Sequence, residues 1–262
     1  MSILREARGI VEARVDLESI TAERIVLGMG YTGVKLSNGE AGVCHSLISE
    51  TSPDCCDILD DAGHLTSIPV TELLTYTDSW NLFNRILGVA TLNALSQSVI
   101  REDPGRYPLL KENLINVLDV DTGDTVSMVG MIKPFMEPLR RKSKRLYILE
   151  RSSPRPDGVY PDTACEELLP ESDVVVITGS AMANGTLDRL LELSCQARKV
   201  AVVGPTVSIV PDPLFRRGVD YCGGVQVRDA ELLMTILSEA GGTPQMKREA
   251  VDLVTYVTTM DH

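Results

Sequence analysis

Three short loops carry residue types that suit a small-molecule site: Gly130-Met131-Ile132-Lys133-Pro134, Thr178-Gly179-Ser180 and Gly204-Pro205-Thr206. Each follows a short apolar run. A glycine ahead of a helix start leaves backbone N–H groups to meet an anion or a carbonyl, and Pro134 suits the first helical turn. Glycine beside Thr or Ser at a strand end lets a ligand approach the main chain closely. Asn184-Gly185-Thr186 offers either a polar anchor in Asn184 or residues that cap the next helix. Glu150 lies 20 residues beyond Gly130, the offset at which an acidic residue accepts ribose hydroxyls in dinucleotide-binding units. The same side chain can also be read as a surface Glu paired with Arg151. The full Gly-x-Gly-x-x-Gly pattern is absent, which argues against an ordinary NAD dehydrogenase.

The familiar catalysts are missing. The chain has 3 histidines (His45, His64 and His262), and no His-Glu-x-x-His, Gly-x-Ser-x-Gly or Walker loop occurs. Cys55 and Cys56, flanked by Asp54 and Asp57, mix soft and hard metal ligands, but two adjacent cysteines make a poor cage and also suit an ordinary loop with free thiols. Cys44 and His45 are neighbours on a predicted strand, so their side chains point to opposite faces and cannot chelate together.

Composition narrows the partners. The net charge is -12, which disfavours polyanions, and nucleic-acid binding needs clustered Lys and Arg. The one basic run, Arg140 to Arg145, reads as a solvated helix end. No stretch approaches the roughly 20 apolar residues of a membrane span. The first residues carry charges where a signal peptide needs an apolar core, so a cytoplasmic location is expected. The 6 cysteines follow no zinc spacing and are expected mostly as buried thiols.

The elements that must hold these loops fall into two groups. Residues 2–16 have helical spacing; Ala22–Leu27, Val34–Leu36 and Gly42–His45 read as strands, with Gly28 to Gly33 as a glycine-dense turn. Asn38-Gly39 between the last two strands is a hairpin signal. Ser79–Gln97 reads as a long helix with a buried stripe through Leu82, Ile86, Val89, Ala90, Leu92, Asn93 and Leu95. A turn-rich stretch between Arg101 and Asp124 marks the boundary, giving domains of 1–110 and 111–262. Beyond it, the runs Thr125–Val129, Arg145–Leu149, Asp173–Ile177, Lys199–Val203 and Val219–Cys222 alternate with helical patterns. Continuous apolar runs suit strands buried on both faces, so the expected fold is a small α+β domain followed by a doubly wound α/β domain with a parallel sheet.

The order of Gly130–Pro134, Ile177–Ser180 with Asn184–Leu187, Val203–Thr206 with Pro213–Phe215, and Gly218–Asp220 resembles the heavy-metal-chelation family. Gly33-Val34, Gly88–Ala90 and Asn93-Ala94 extend the likeness over nearly the whole chain. The resemblance implies an enolase N-terminal-like domain, a Rossmann-like domain and a site in the cleft between them. It also implies a role in heavy-metal chelation, or in condensing or hydrolysing precursors of pterins, flavins or siderophores.

On that basis Gly130, Met131, Thr178, Gly179, Ser180, Gly204, Pro205 and Thr206 shape a pocket. Glu150 holds a diol, Asn184 is a polar anchor, and Tyr31, Thr32 and Asn93 reach in from the first domain. The ligand is a small molecule such as a metal chelate, and the cofactor classes left open are a metal ion and a nucleotide-like group. One alternative is a binding protein without turnover that holds metal through Cys55, Cys56, Asp54 and His64. Another is an S-adenosylmethionine-dependent methyltransferase using Glu150. Apolar surface on either domain would suit a homodimer, although no sequence feature specifies one.

Overall fold

The computed structural model describes residues 2–51 and 59–258. A three-stranded antiparallel sheet, β1 (Ala22–Leu27), β2 (Tyr31–Leu36) and β3 (Ala41–His45), opens the chain. A seven-stranded sheet follows: β4 (Thr125–Val129), β5 (Arg145–Glu150), β6 (Val159–Pro161), β7 (Val174–Thr178), β8 (Lys199–Val203), β9 (Tyr221–Val227) and β10 (Val251–Val257). In chain order the helices are α1 (Ile3–Glu12), α2 (Val70–Thr75), α3 (Leu82–Glu102), α4 (Leu114–Val117), α5 (Lys133–Lys142), α6 (Cys165–Leu168), α7 (Ser180–Ala183), α8 (Leu187–Leu193), α9 (Asp212–Phe215), α10 (Ala230–Ser238) and α11 (Thr243–Glu249). Among the described residues no helix is long and apolar enough to cross a membrane.

The spatial order β10-β9-β8-β7-β4-β5-β6 is that of a doubly wound sheet. The chain moves outward from β4 through β5 to β6, then returns to β7 on the other side of β4 and continues through β8 and β9. Those six strands are parallel, and β10 pairs antiparallel at the edge. The order reverses between β4 and β7, the place where such sheets open a crevice at their strand ends. β10 and the three-residue β6 are additions to the expected strands; both lie at sheet edges, where the apolar signal is weakest.

Alternation along each strand explains the layers. Val174 and Val176 pack with Val126, Met128 and Leu139 of α5 on one face. Val175 and Ile177 face the other way and share a core with Leu87, Leu95 and Val99 of α3 and with Ile3 and Ala7 of α1. The two halves of the chain are thus joined through this cluster and through a second, in which Ala41 and Val43 of β3 pack with Val225, Val227, Leu233, Met234 and Leu237.

Helix α3 starts where the Asn81 carboxamide oxygen accepts the N–H groups of Phe83 and Asn84. It is buried on all sides from Ile86 to Gln97, not along a stripe as its spacing suggested, because the small sheet covers one side and the large sheet and its loops the other. Glycines permit the approach. A Cβ on Gly42 of β3 would collide with the main chain of Ala90 and Ala94, and one on Gly88 with that of Thr77. The Asn38-Gly39 hairpin forms, but only Gly39 is left-handed (φ 85°), and its N–H returns to the Leu36 carbonyl. The loop is therefore a glycine-closed turn and not the two-residue kind with both centres left-handed.

Polar residues of α3 meet the large-sheet half. Asn93 donates to the carbonyls of Val43 (2.8 Å) and Thr206 (2.7 Å), Gln97 to that of Ser208 (3.3 Å), and Arg101 to that of Val227 (3.0 Å). Their spacing of four residues places all three on one helix face.

Three stability measurements bear on this packing, one of them a control away from it. Gly42→Ala is expected to lower the urea-unfolding free energy by about 1–3 kcal/mol or more through overpacking. Gly9→Ala, on an exposed face of α1 with nothing near the new methyl, should raise it by about 0.5–1 kcal/mol. Asn93→Leu strands two buried carbonyls and should cost on the order of 2 kcal/mol or more. An unchanged urea midpoint for Asn93→Leu would show that the seam does not hold the halves together.

Candidate functional site

The reversal of strand order puts the expected ligand position at the carboxyl ends of β4 and β7. Val129 lies opposite Ile177, so Gly130 and Thr178 emerge side by side. Gly130 has φ 88°, and a Cβ there would come within 2.8 Å of Thr178 Cγ2. Gly204 follows β8 with φ 133°, and Gly179 packs against Val207. Gly130, Met131, Thr178, Ser180 and Gly204 are half-buried, whereas Gly179 and Pro205 are buried.

The backbone donors of these loops are largely committed. The N–H of Gly130 goes to the Leu149 carbonyl, that of Gly179 to Val203, and that of Gly204 to Gly223, each at 2.7 Å. Met131 N–H donates to Glu150 Oε2 (3.1 Å) and Ser152 N–H to Oε1 (3.0 Å). Ser180 N–H makes a long contact to Thr178 Oγ1 (3.4 Å). The expectation of free N–H groups after β4 is therefore corrected: the Glu150 carboxylate accepts the Met131 donor that an anion would have used. Glu150 also does not pair with Arg151, whose guanidinium goes to Glu50 (2.7 Å) and Asp162 (2.8 Å).

Residues expected to reach in from the first half divide. Asn93 and Thr32 are buried, Asn93 on the seam described above and Thr32 against Ser46 (3.2 Å). Thr206 is buried too, with its hydroxyl accepting the His45 N–H (2.9 Å) and its carbonyl accepting Asn93. Tyr31 is half-buried: its hydroxyl bonds Thr243 (2.9 Å), and its ring stands edge-on to His45 at 5.4 Å. The Asn184 oxygen accepts from the Thr186 N–H and hydroxyl, capping the turn into α8, while its amide nitrogen makes long contacts of 3.4 and 3.5 Å to Glu50.

His45 is the residue around which this geometry gathers. It ends β3, half-buried, with its neighbour Cys44 turned into the core as alternation requires. His45 Nδ1 is buried without a hydrogen-bond partner among the described residues. Burial holds the imidazole below the ordinary histidine value, opposed by the carboxylates of Glu50 and Glu150. Desolvation is the larger influence, so the ring is neutral at pH 7, the form that can accept a proton. Burial pushes the Cys44 thiol far upward, which makes it an inert core group.

Glu50 and Arg151 have no counterpart in the sequence-level site. Leu47 adopts the left-handed region (φ 47°, ψ 38°), unusual for a bulky side chain, and turns the chain from β3 into a single 3₁₀ turn, Ile48–Glu50. That turn carries Glu50 to Arg151 and Asn184. Nothing in the local residue pattern announces such a turn.

Among the described residues no three His, Cys, Asp or Glu side chains converge as a metal-ion site. His64 is exposed in the turn before the 3₁₀ helix Leu65–Ser67, and Cys55, Cys56, Asp54 and Asp57 lie outside the described residues.

Comparison with known proteins places this geometry in a family. Residues 10–96 match the family model DUF4213 and residues 113–255 the model DUF364, both described as "Putative heavy-metal chelation". An uncharacterized protein of Methanocaldococcus jannaschii is 30% identical over 178 residues, 67% of this chain and 67% of that protein. A crystal structure of a DUF364-family protein of unknown function from Pyrococcus horikoshii superposes with a TM-score of 0.81 at 23% identity, covering 98% of this chain and 100% of that one. A second, from Desulfitobacterium hafniense, gives 0.78 at 25% identity, covering 97% and 98%. The chain belongs to the DUF364 heavy-metal-chelation family and has its two-part α/β fold.

Proposed function

We propose that the chain binds a small organic metal chelator, or its metal complex, in the crevice at the ends of β4 and β7, with His45 as the group that exchanges a proton with it. One observation carries this reading: carboxylates from both halves, Glu50 and Glu150, act on a half-buried imidazole whose Nδ1 has no partner among the described residues. A neutral imidazole beside two carboxylates is suited to general acid–base work. The reaction class that this supports is condensation or hydrolysis of a chelator precursor, with His45 accepting the proton of the attacking group and returning it to the leaving group. Glu50, fixed by Arg151, and Glu150, fixed by the Met131 and Ser152 N–H groups, would orient the ligand's donors. The family description supports the chelation half of the proposal. A chelate brings its own metal donors, which suits a site where no metal cage is formed by the described side chains.

A thermal-shift panel of pterins, flavins, catecholate and hydroxamate chelators, each with and without divalent metal, tests the reading. A ligand that binds only the folded state raises the midpoint. An organic ligand or its chelate should do so, and Glu50→Gln or His45→Gln should abolish the shift without changing the midpoint of the free protein by much. A shift produced by bare metal alone, and lost in the Cys55→Ser, Cys56→Ser double variant, would overturn it in favour of metal storage.

The His45 environment gives a second test. Its folded-state value lies below the ordinary 6.5, so between the two the unfolded chain holds more protons than the folded one. Stability should therefore rise with pH through that window and fall as pH drops below about 6.5. Urea unfolding across pH 5–7.5 should show this slope, and His45→Gln should flatten it. An imidazole titrating above 6.5 by NMR would refute the neutral-base role.

A further inference from the structure

We infer that the cavity beside Trp80 is a binding site for a small planar carboxylate, distinct from the crevice at His45. The cavity has a volume of about 240 Å³ and lies where the start of α1, the start of α3 and the turn between α7 and α8 meet. That volume accommodates one ring with its carboxylate.

Trp80 is the only tryptophan in the chain and is 96% exposed. Leaving a face of that size in water forgoes the burial that normally holds tryptophan inside. The Arg85 guanidinium lies 5.8 Å from its ring centroid. Arg85 Nε is buried without a partner, and the guanidinium makes no hydrogen bond or ion pair among the described residues. The other charges of the lining are matched. Asp78 pairs with Arg5 (2.8 Å) and Arg8 (2.9 Å), while Asp188 accepts the Ile3 N–H (3.1 Å) and lies 3.7 Å from Arg217. Among the described residues of the cavity wall, Arg85 is the cation left over.

Gly185 makes this placement. It has φ 80°, and a Cβ there would collide with Arg85 Nη1, so the guanidinium lies against bare main chain. An arginine fork matches a carboxylate in two parallel hydrogen bonds, and an indole face takes a flat group beside it. Inorganic phosphate could meet the fork but has no flat face to lay against the indole, so a ring carboxylate is the better fit.

Because Trp80 is the only tryptophan, its fluorescence reports on this site alone. The full chain is titrated with benzoate, acetate, benzylamine and inorganic phosphate. Benzoate should give a saturable change, with acetate weaker by about tenfold or more for want of the ring and benzylamine silent. Arg85→Gln should weaken benzoate by about tenfold or more and Arg85→Lys by less, since lysine keeps the charge but loses the fork. Unchanged thermal midpoints would show both variants folded, and His45→Gln should leave the titration as it was. No saturable change with benzoate, an equal response to benzylamine or phosphate, or loss of the response in His45→Gln would overturn the proposal. So would an emission that shifts with protein concentration alone, which would mean that a second copy of the chain covers Trp80.

Discussion

The carboxamide of Asn93 donates both of its hydrogens to main-chain carbonyls from distant parts of the sequence, Val43 on β3 and Thr206 beyond β8. A buried carbonyl left without a donor costs roughly 1–3 kcal/mol, so these bonds fix the rotation of α3 about its axis and the height at which β3 meets the large sheet. Thr206 then uses its hydroxyl to hold the His45 main chain. The position of the His45 main chain thus depends on a side chain that touches no solvent. The same helix face continues the contact through Gln97 and Arg101.

Close approach is the second constraint, and it follows from the first. An amide can reach two carbonyls only if the helix backbone lies almost on the strand, and Gly42 allows this because its missing side chain leaves room for the Ala90 and Ala94 main chain. A helix wedged between a sheet and a set of loops has no solvent face, which is why α3 is apolar or hydrogen-bonded nearly all round. The small antiparallel sheet behaves less as an independent unit than as a cover for α3, and the shared core of α3 with Val175 and Ile177 expresses the same dependence.

The fold was more legible in the sequence than the site. Four strands of the large sheet stand out because their residues are buried on both faces and form unbroken apolar runs, and the glycine loops at their ends follow from the doubly wound topology. The β10 strand reads less clearly because only one side of an edge strand is paired. Asn93, Thr32 and Thr206 were legible as unusual polar residues, but a polar group that staples two backbones looks the same in sequence as one that meets a ligand. Only burial separates them. Glu50 was not legible at all: its position depends on one left-handed leucine, and backbone handedness at a non-glycine residue leaves no compositional trace. His45 was visible as a residue, but the influence of the Glu150 charge on it is a property of the assembled halves.

The strand order of the large sheet is the one that elsewhere places a pyrophosphate at the end of the first strand, yet the loop here is chemically the reverse of a phosphate cradle. Gly130 and Met131 have given their N–H groups to Leu149 and Glu150, the N–H of Ile132 folds back to Gly130, Pro134 has none, and that of Phe135 returns to Ile132. The Glu150 carboxylate is held by this loop and by Ser152, while Glu50 from the other half is held by Arg151. Of the donors a phosphate cradle would use, the N–H of Lys133 at the first turn of α5 is the one without a partner among the described residues. The topology is that of a nucleotide-binding sheet, but the donors already occupied at the end of its first strand make this loop a poor cradle for a pyrophosphate.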